Sequence, residues 1–129
     1  ARSIAHSCAW LADPEVTIAV PGERTTAFLV LRLMLGKPFR FVAMPFETIV
    51  SAVQNGDVDA GLVIHEAQIT FEEAGLASVV DLGVWWRAAT SLPLPLGANA
   101  IRRDLDRRHG PGTCARVTSV LRRSIEHAL

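Results

Sequence analysis

The stretch VTIAVPGERTTAFLVLRLMLGKPFRFVAMP, residues 16–45, decides the fold. Its first five residues form a short β-branched and apolar run that Pro21-Gly22 ends. Thr25 then stands where a helix N-cap belongs. It precedes TAFLVLRLML, whose apolar positions fill most faces of a helix and predict a well-buried one. Gly36 stops that helix, and Pro38 prevents its resumption. FRFVAM, residues 39–44, reads as a second strand. Strand, helix and strand at this spacing make a βαβ unit, the seed of a mostly parallel sheet covered on both faces.

Downstream the alternation continues. Pro45 opens PFETIVSAVQNG, in which Phe46, Ile49, Val50 and Val53 recur at helical spacing and Asn55-Gly56 forms the stop. DAGLVIH (residues 59–65) is the expected third strand and ASVVDLG (77–83) a fourth. A short helix over VWWRAAT (84–90) follows, then a further strand within LPLPLGANAIRRD (92–104). From Thr113 onward, Val117, Val120, Leu121, Ile125 and Ala128 share one stripe of an amphipathic helix. RRDLDRRHGPG (102–112) is the one polar, breaker-containing stretch long enough for a hinge. Its alternating charges equally suit a solvated surface.

The composition suits one compact α/β domain. At 129 residues, half of them hydrophobic and a fifth charged, the chain can bury roughly two-thirds of its unfolded surface. The 13 basic residues balance the 13 acidic ones, so nothing recommends nucleic acid or an anionic membrane as a partner. Cys8 and Cys114 are isolated, without the spacing of a zinc site or a disulfide framework, which points to a reducing compartment. No apolar run approaches a membrane span, and no signal peptide is legible. The chain opens on alanine rather than methionine, which reads as a fragment or a processed product.

In open α/β sheets, ligands collect beyond the carboxyl ends of the parallel strands. Three segments end there: the first strand leads into Pro21 to Ala27, the second into Met44 to Phe46, and the third delivers His65 and Glu66. The PGERTTA turn resembles an anion seat, with free N–H groups at Thr26 and Ala27 and the positive end of a helix. Thr25 acting only as the cap of its own helix is the plainer alternative. His65 is the one histidine that ends a core strand, and histidine is the usual general base near neutral pH. A structural role at the strand end is its alternative. Glu66, as the next residue, points to the opposite face of a strand. Trp85-Trp86 suits either stacking on a planar ligand or packing. HEAQI lacks the second histidine of a zincin helix, and no Walker loop, GxGxxG or nucleophile elbow appears.

Several segments together carry a family resemblance. IAVPGERTTAFLVLRL (18–33), VQNGDVDAGLVIHEAQITFEEAGL (53–76), VVDLGVWW (79–86) and LPLPLGANAIRRDL (92–105) resemble, in order and spacing, the 1,4-dihydroxy-6-naphthoate synthases of the futalosine route to menaquinone. The resemblance implies a periplasmic-binding-protein-like type II fold, two α/β lobes joined by a hinge with substrate in the cleft. Residues 1–104 would then form a three-layer α/β/α lobe, its mostly parallel sheet carrying one antiparallel strand. Residues 105–129 would form the hinge or connecting segment and a C-terminal amphipathic helix. It implies a cytoplasmic lyase that converts cyclic dehypoxanthine futalosine, a small carboxylate-bearing substrate, without metal or organic cofactor. His65 of the IHE motif would accept the proton, and Thr26 and Ala27 would contact substrate. The first lobe, with its own share of the site, would lie outside this segment, leaving an uncovered lobe face open to self-association. Ser91 stands where the family has glycine, and Val84 where it has glutamate. The alternatives on the same fold are a non-catalytic ligand-binding or effector lobe and an inactive remnant.

Overall fold

The protein's structure, a computed structural model, describes residues 7–97 and 100–128. The chain divides into two compact units, Ala1–Leu96 and Gly97–Leu129. The first is built on a three-stranded sheet of β1 (Thr17–Val20), β2 (Arg40–Ala43) and β3 (Ala60–Gly61), in the order β2-β1-β3. Both strand pairings are parallel, with Ile18 beside Phe41 on one side and beside Ala60 on the other. Helices α1 (Thr26–Leu35) and α2 (Phe46–Gln54) make the two crossovers, and α3 (Ala67–Thr70) and α4 (Leu82–Thr90) follow β3.

β1 is the central strand, and its alternation separates two cores. Ile18 and Val20 pack with Phe28, Leu31 and Met34 of α1, and Trp85 of α4 closes on the same cluster. Ala19, pointing the other way, packs with Ile49 of α2 and Val58. One helix therefore lies on each face of the sheet. The expected capping of α1 holds. The Thr25 hydroxyl accepts from the Phe28 N–H at 3.2 Å, and Gly36 closes the helix in the left-handed conformation at φ 66°.

A close approach explains the glycine of β3. A Cβ built on Gly61 would lie 2.5 Å from Ile49 Cγ2 and 3.0 Å from Val53 Cγ2. Ile49 is completely buried and so cannot swing aside. Gly61→Ala is expected to destabilise the first unit by about 1–3 kcal/mol, the usual cost of overpacking, as read from a urea unfolding midpoint. An unchanged midpoint would show that α2 can retreat from the sheet.

Three expected strands are shorter or absent. The third was expected over residues 59–65, but the ladder ends at Gly61, with one further bond from the Leu62 N–H to the Ala19 carbonyl at 2.8 Å. A left-handed turn at His65, φ 55°, follows. The fourth, over 77–83, is not a strand. The Asp81 carboxylate accepts from the Val84 N–H at 3.0 Å and caps α4, drawing Leu82 and Gly83 into the helix. Within 92–104 the described residues form no strand, and Pro93 and Pro95 supply no ladder donors. Ala98 and Asn99 lie outside the described residues. The expected antiparallel strand is therefore corrected: among the described residues the sheet is wholly parallel. Ser91 ends α4 in the left-handed conformation, φ 60°, which is the backbone state that glycine adopts at no steric cost.

The second unit contains α5 (Leu105–His109) and α6 (Thr113–Ala128). Ahead of α5, Asp104 accepts two 2.9 Å hydrogen bonds from Arg102, with Arg107 at 3.7 Å and Arg108 at 3.8 Å. The Arg102 bond holds the Asp104 carboxyl below the usual carboxylate range. The α6 stripe forms as expected, with Val117 and Leu121 half-buried and Val120 and Ile125 exposed.

Candidate functional site

Hydrogen bonding ties the three strand exits together at the carboxyl rim. The Met44 N–H after β2 donates to the Val20 carbonyl at 3.0 Å, and the Leu62 N–H after β3 donates to Ala19 at 2.8 Å. The segments leading to α1, to α2 and to His65 therefore emerge side by side. The sequence placed its candidates on this rim, and the structure puts Thr26, Ala27 and His65 there.

At the start of α1, the Gly22 carbonyl accepts from the Thr25 N–H at 3.3 Å and from the Thr25 hydroxyl at 2.9 Å. That hydroxyl in turn accepts from Phe28, and the Leu29 N–H reaches the Thr25 carbonyl at 3.2 Å. The Thr26 and Ala27 N–H groups are left without an acceptor among the described residues. Both residues are half-buried. Thr25 is therefore a cap, as the plainer alternative had it, and its capping leaves the two adjacent amides free. Two aligned amides at the positive end of a ten-residue helix favour an anion.

His65 is exposed and has a left-handed backbone, φ 55°. Its carbonyl accepts from the Gln68 N–H and from the Gln68 side-chain amide, both at 3.2 Å. These bonds hold a conformation that is uncommon outside glycine and is concentrated at functional sites. No hydrogen bond from a described residue reaches either ring nitrogen. The ring lies instead against Phe46, with centroids 4.9 Å apart and planes tilted by 58°. A neutral imidazole carries one acceptor nitrogen, and no hydrogen bond from a described residue occupies it here.

Glu66 makes no hydrogen bond or ion pair to the imidazole. It begins the turn into α3, where its carbonyl accepts from Ile69 at 2.9 Å. Its side chain lines a groove of about 440 Å3 with Phe46, Val50, Ala67, Glu47 and Glu73. Three carboxylates make that groove repel an anion, whereas the start of α1 attracts one. Trp85 packs into the core, and the Trp86 indole N–H donates to the Pro93 carbonyl at 3.2 Å. Packing and loop pinning thus account for the tryptophan pair. His109 and His127 are exposed, and His6 lies outside the described residues. Among the described residues, no three His, Cys, Asp or Glu side chains gather as a metal site. Sequence reading placed Phe46 both on the rim and on the apolar stripe of its helix, but did not pair it with His65. The signal was its place at the first turn of a helix that starts on the rim.

A family model described as menaquinone biosynthesis matches residues 5–129. The chain is 45% identical over 112 residues to a 1,4-dihydroxy-6-naphtoate synthase of Thermus thermophilus, covering 87% of this chain and 39% of that protein. It is 43% identical over 117 residues to a protein of the same name from Streptomyces coelicolor, covering 87% and 40%. A crystal structure of a protein from Archaeoglobus fulgidus matches with a TM-score of 0.67 at 53% identity, over 73% of this chain and 35% of that one. The chain thus spans about two-fifths of the length of the curated relatives it matches.

Proposed function

We propose, since the chain belongs to the menaquinone-biosynthesis family, that it forms the histidine-bearing lobe of a lyase that converts cyclic dehypoxanthine futalosine to 1,4-dihydroxy-6-naphthoate. The observation that carries this reading is the shared rim, which offers a free imidazole at His65 and two free amides at Thr26 and Ala27. His65 removes a substrate proton, and formation of the aromatic naphthoate drives the C–C cleavage that follows. The amides of α1 seat the substrate carboxylate. No metal or organic cofactor takes part in this scheme.

The reading places the lobe in a periplasmic-binding-protein-like type II fold. The β2-β1-β3 order, with α1 and α2 on opposite faces, supports it. Residues 1–104 then serve as the lobe and 105–129 as the connecting segment and final helix. A cytoplasmic setting accords with the free thiols of Cys8 and Cys114. No helix among the described residues is long and apolar enough to cross a membrane.

The anion seat is testable by comparing two substitutions in a full-length enzyme that carries this segment. Thr26→Val removes a hydroxyl but keeps both amides. Substrate binding is expected to weaken modestly, within the roughly 0.5–3 kcal/mol of a hydrogen bond to a charged acceptor. Ala27→Pro deletes an amide in the first helical turn, where the missing N–H breaks no helical bond, and is expected to cost more. Calorimetric titration with substrate gives both values, and circular dichroism checks the helix. Equal affinity in wild type and Ala27→Pro would remove the seat from α1.

Self-association of the lobe is part of the same reading. Leu29 and Leu33 form an exposed apolar pair one helical turn apart on α1, at 54% and 53% exposure, and Phe41 and Val42 are exposed on the edge strand β2. Patches of this kind bind partners or copies, so sedimentation of the isolated chain should show association that grows with concentration. A monomer at every concentration would count against it.

A further inference from the structure

We infer that Phe46 is a positioning residue for His65, its ring fixing the imidazole on the carboxyl rim where a hydrogen-bonding carboxylate would usually do so. The inference rests on the proposed role of His65 as the base. A catalytic histidine commonly has one ring N–H held by a carboxylate or a carbonyl, which sets the tautomer and the ring direction. Here Glu66 faces the groove, and neither ring nitrogen has a partner among the described residues. The ring contact at 4.9 Å and 58° is the one specific interaction, whether ring contact, hydrogen bond or ion pair, that the His65 side chain makes among them. The tilted arrangement lies within the preferred geometry of aromatic pairs.

Phe46 is itself well held. It is the first residue of α2, directly after Pro45, whose carbonyl accepts from the Thr48 N–H at 3.0 Å and from the Thr48 hydroxyl at 2.8 Å. Ile49, one turn on, is completely buried against β1 and β3, so the helix bearing Phe46 cannot slide. Phe46 is half-buried while His65 is exposed. The anchored ring therefore constrains the exposed one, and the contact joins the exits of the two outer strands.

Two readouts test this. In the 129-residue chain, the ring current of Phe46 should shift the carbon-bound imidazole protons of His65 upfield, and Phe46→Leu should abolish the shift. In a full-length enzyme carrying this segment, Phe46→Leu should lower kcat by about 10- to 100-fold. That range lies between the loss of an aromatic contact and the loss from a misplaced group. KM should change less than about threefold, and Phe46→Tyr, which keeps the ring face, should restore most of kcat. Absence of the upfield shift in the wild-type chain overturns the contact. A kcat within twofold of wild type for Phe46→Leu, or a rise in KM alone, overturns the positioning role. Retained activity in His65→Asn overturns the base assignment instead, and leaves the ring-current result standing.

Discussion

The 129-residue chain alone is expected to show no turnover of cyclic dehypoxanthine futalosine above background. On the proposed reading its rim would supply a base and an anion seat, with His65 exposed and Thr26 and Ala27 only half-buried. Positioning reactants can remove roughly 7–11 kcal/mol from a barrier, provided that the reacting atoms are held in an attack geometry. A single open rim holds one side of a substrate. Water also remains around His65, where a closed cleft would expel it and strengthen each electrostatic contact. The relatives have about three-fifths of their length outside the matched segment, room enough for a second wall. The measurement is a single-turnover assay of the chain beside a full-length enzyme carrying the same segment, with circular dichroism confirming that both are folded. Turnover by the short chain within tenfold of the longer one would place the whole site on this lobe.

What the sequence made legible follows from where local chemistry and tertiary packing agree. The first crossover was readable because Pro21-Gly22, Thr25 and Gly36 are local signals, and each acts within a few residues of itself. The hydroxyl of Thr25 reaches only to Phe28. Strands depend on partners, and there the reading failed. ASVVDLG has the composition of a strand, yet Asp81 captured the next turn as a helix cap, a local bond that competes with a sheet ladder. DAGLVIH was read as seven extended residues, but only Ala60 and Gly61 pair within β3. Asp59 and Leu62 each keep a main-chain bond to β1, and the chain leaves the sheet after Leu62 on the way to His65. That departure is also why the alternation argument separating Glu66 from His65 gave the right separation for a different reason. The two residues diverge at a left-handed turn rather than across a pleat.

The location of the candidate residues was legible to a similar degree. His65, Thr26 and Ala27 could be placed on one rim because parallel strands all end on the same edge of the sheet. The contact between Phe46 and His65 could not. It joins residues 19 positions apart in the chain, from two strands that do not neighbour each other in the sheet. Hydrophobic periodicity assigns Phe46 to the same stripe as Ile49, and its place at the helix start puts it on the rim, but neither signal says that it meets His65.

The sharpest test of the chemistry is His65→Asn in a full-length enzyme carrying this segment. Asparagine keeps a polar side chain of similar reach and is among the residues that best tolerate a left-handed backbone. The turn at φ 55° and the Gln68 bonds to the main-chain carbonyl should therefore survive the change. What is lost is the titratable nitrogen. If the amides of Thr26 and Ala27 seat the substrate as proposed, KM is expected to stay within a few-fold of wild type. The proton transfer loses its acceptor, and kcat should fall by 10²–10⁴-fold, the range for a missing general base. This corresponds to about 2.7–5.5 kcal/mol of transition-state stabilisation. The pattern of a depressed kcat with an unchanged KM separates an interaction made only in the transition state from one shared with the ground state. The opposite pattern, a raised KM with kcat intact, would make His65 a binding residue and leave the proton acceptor to be sought on the facing lobe.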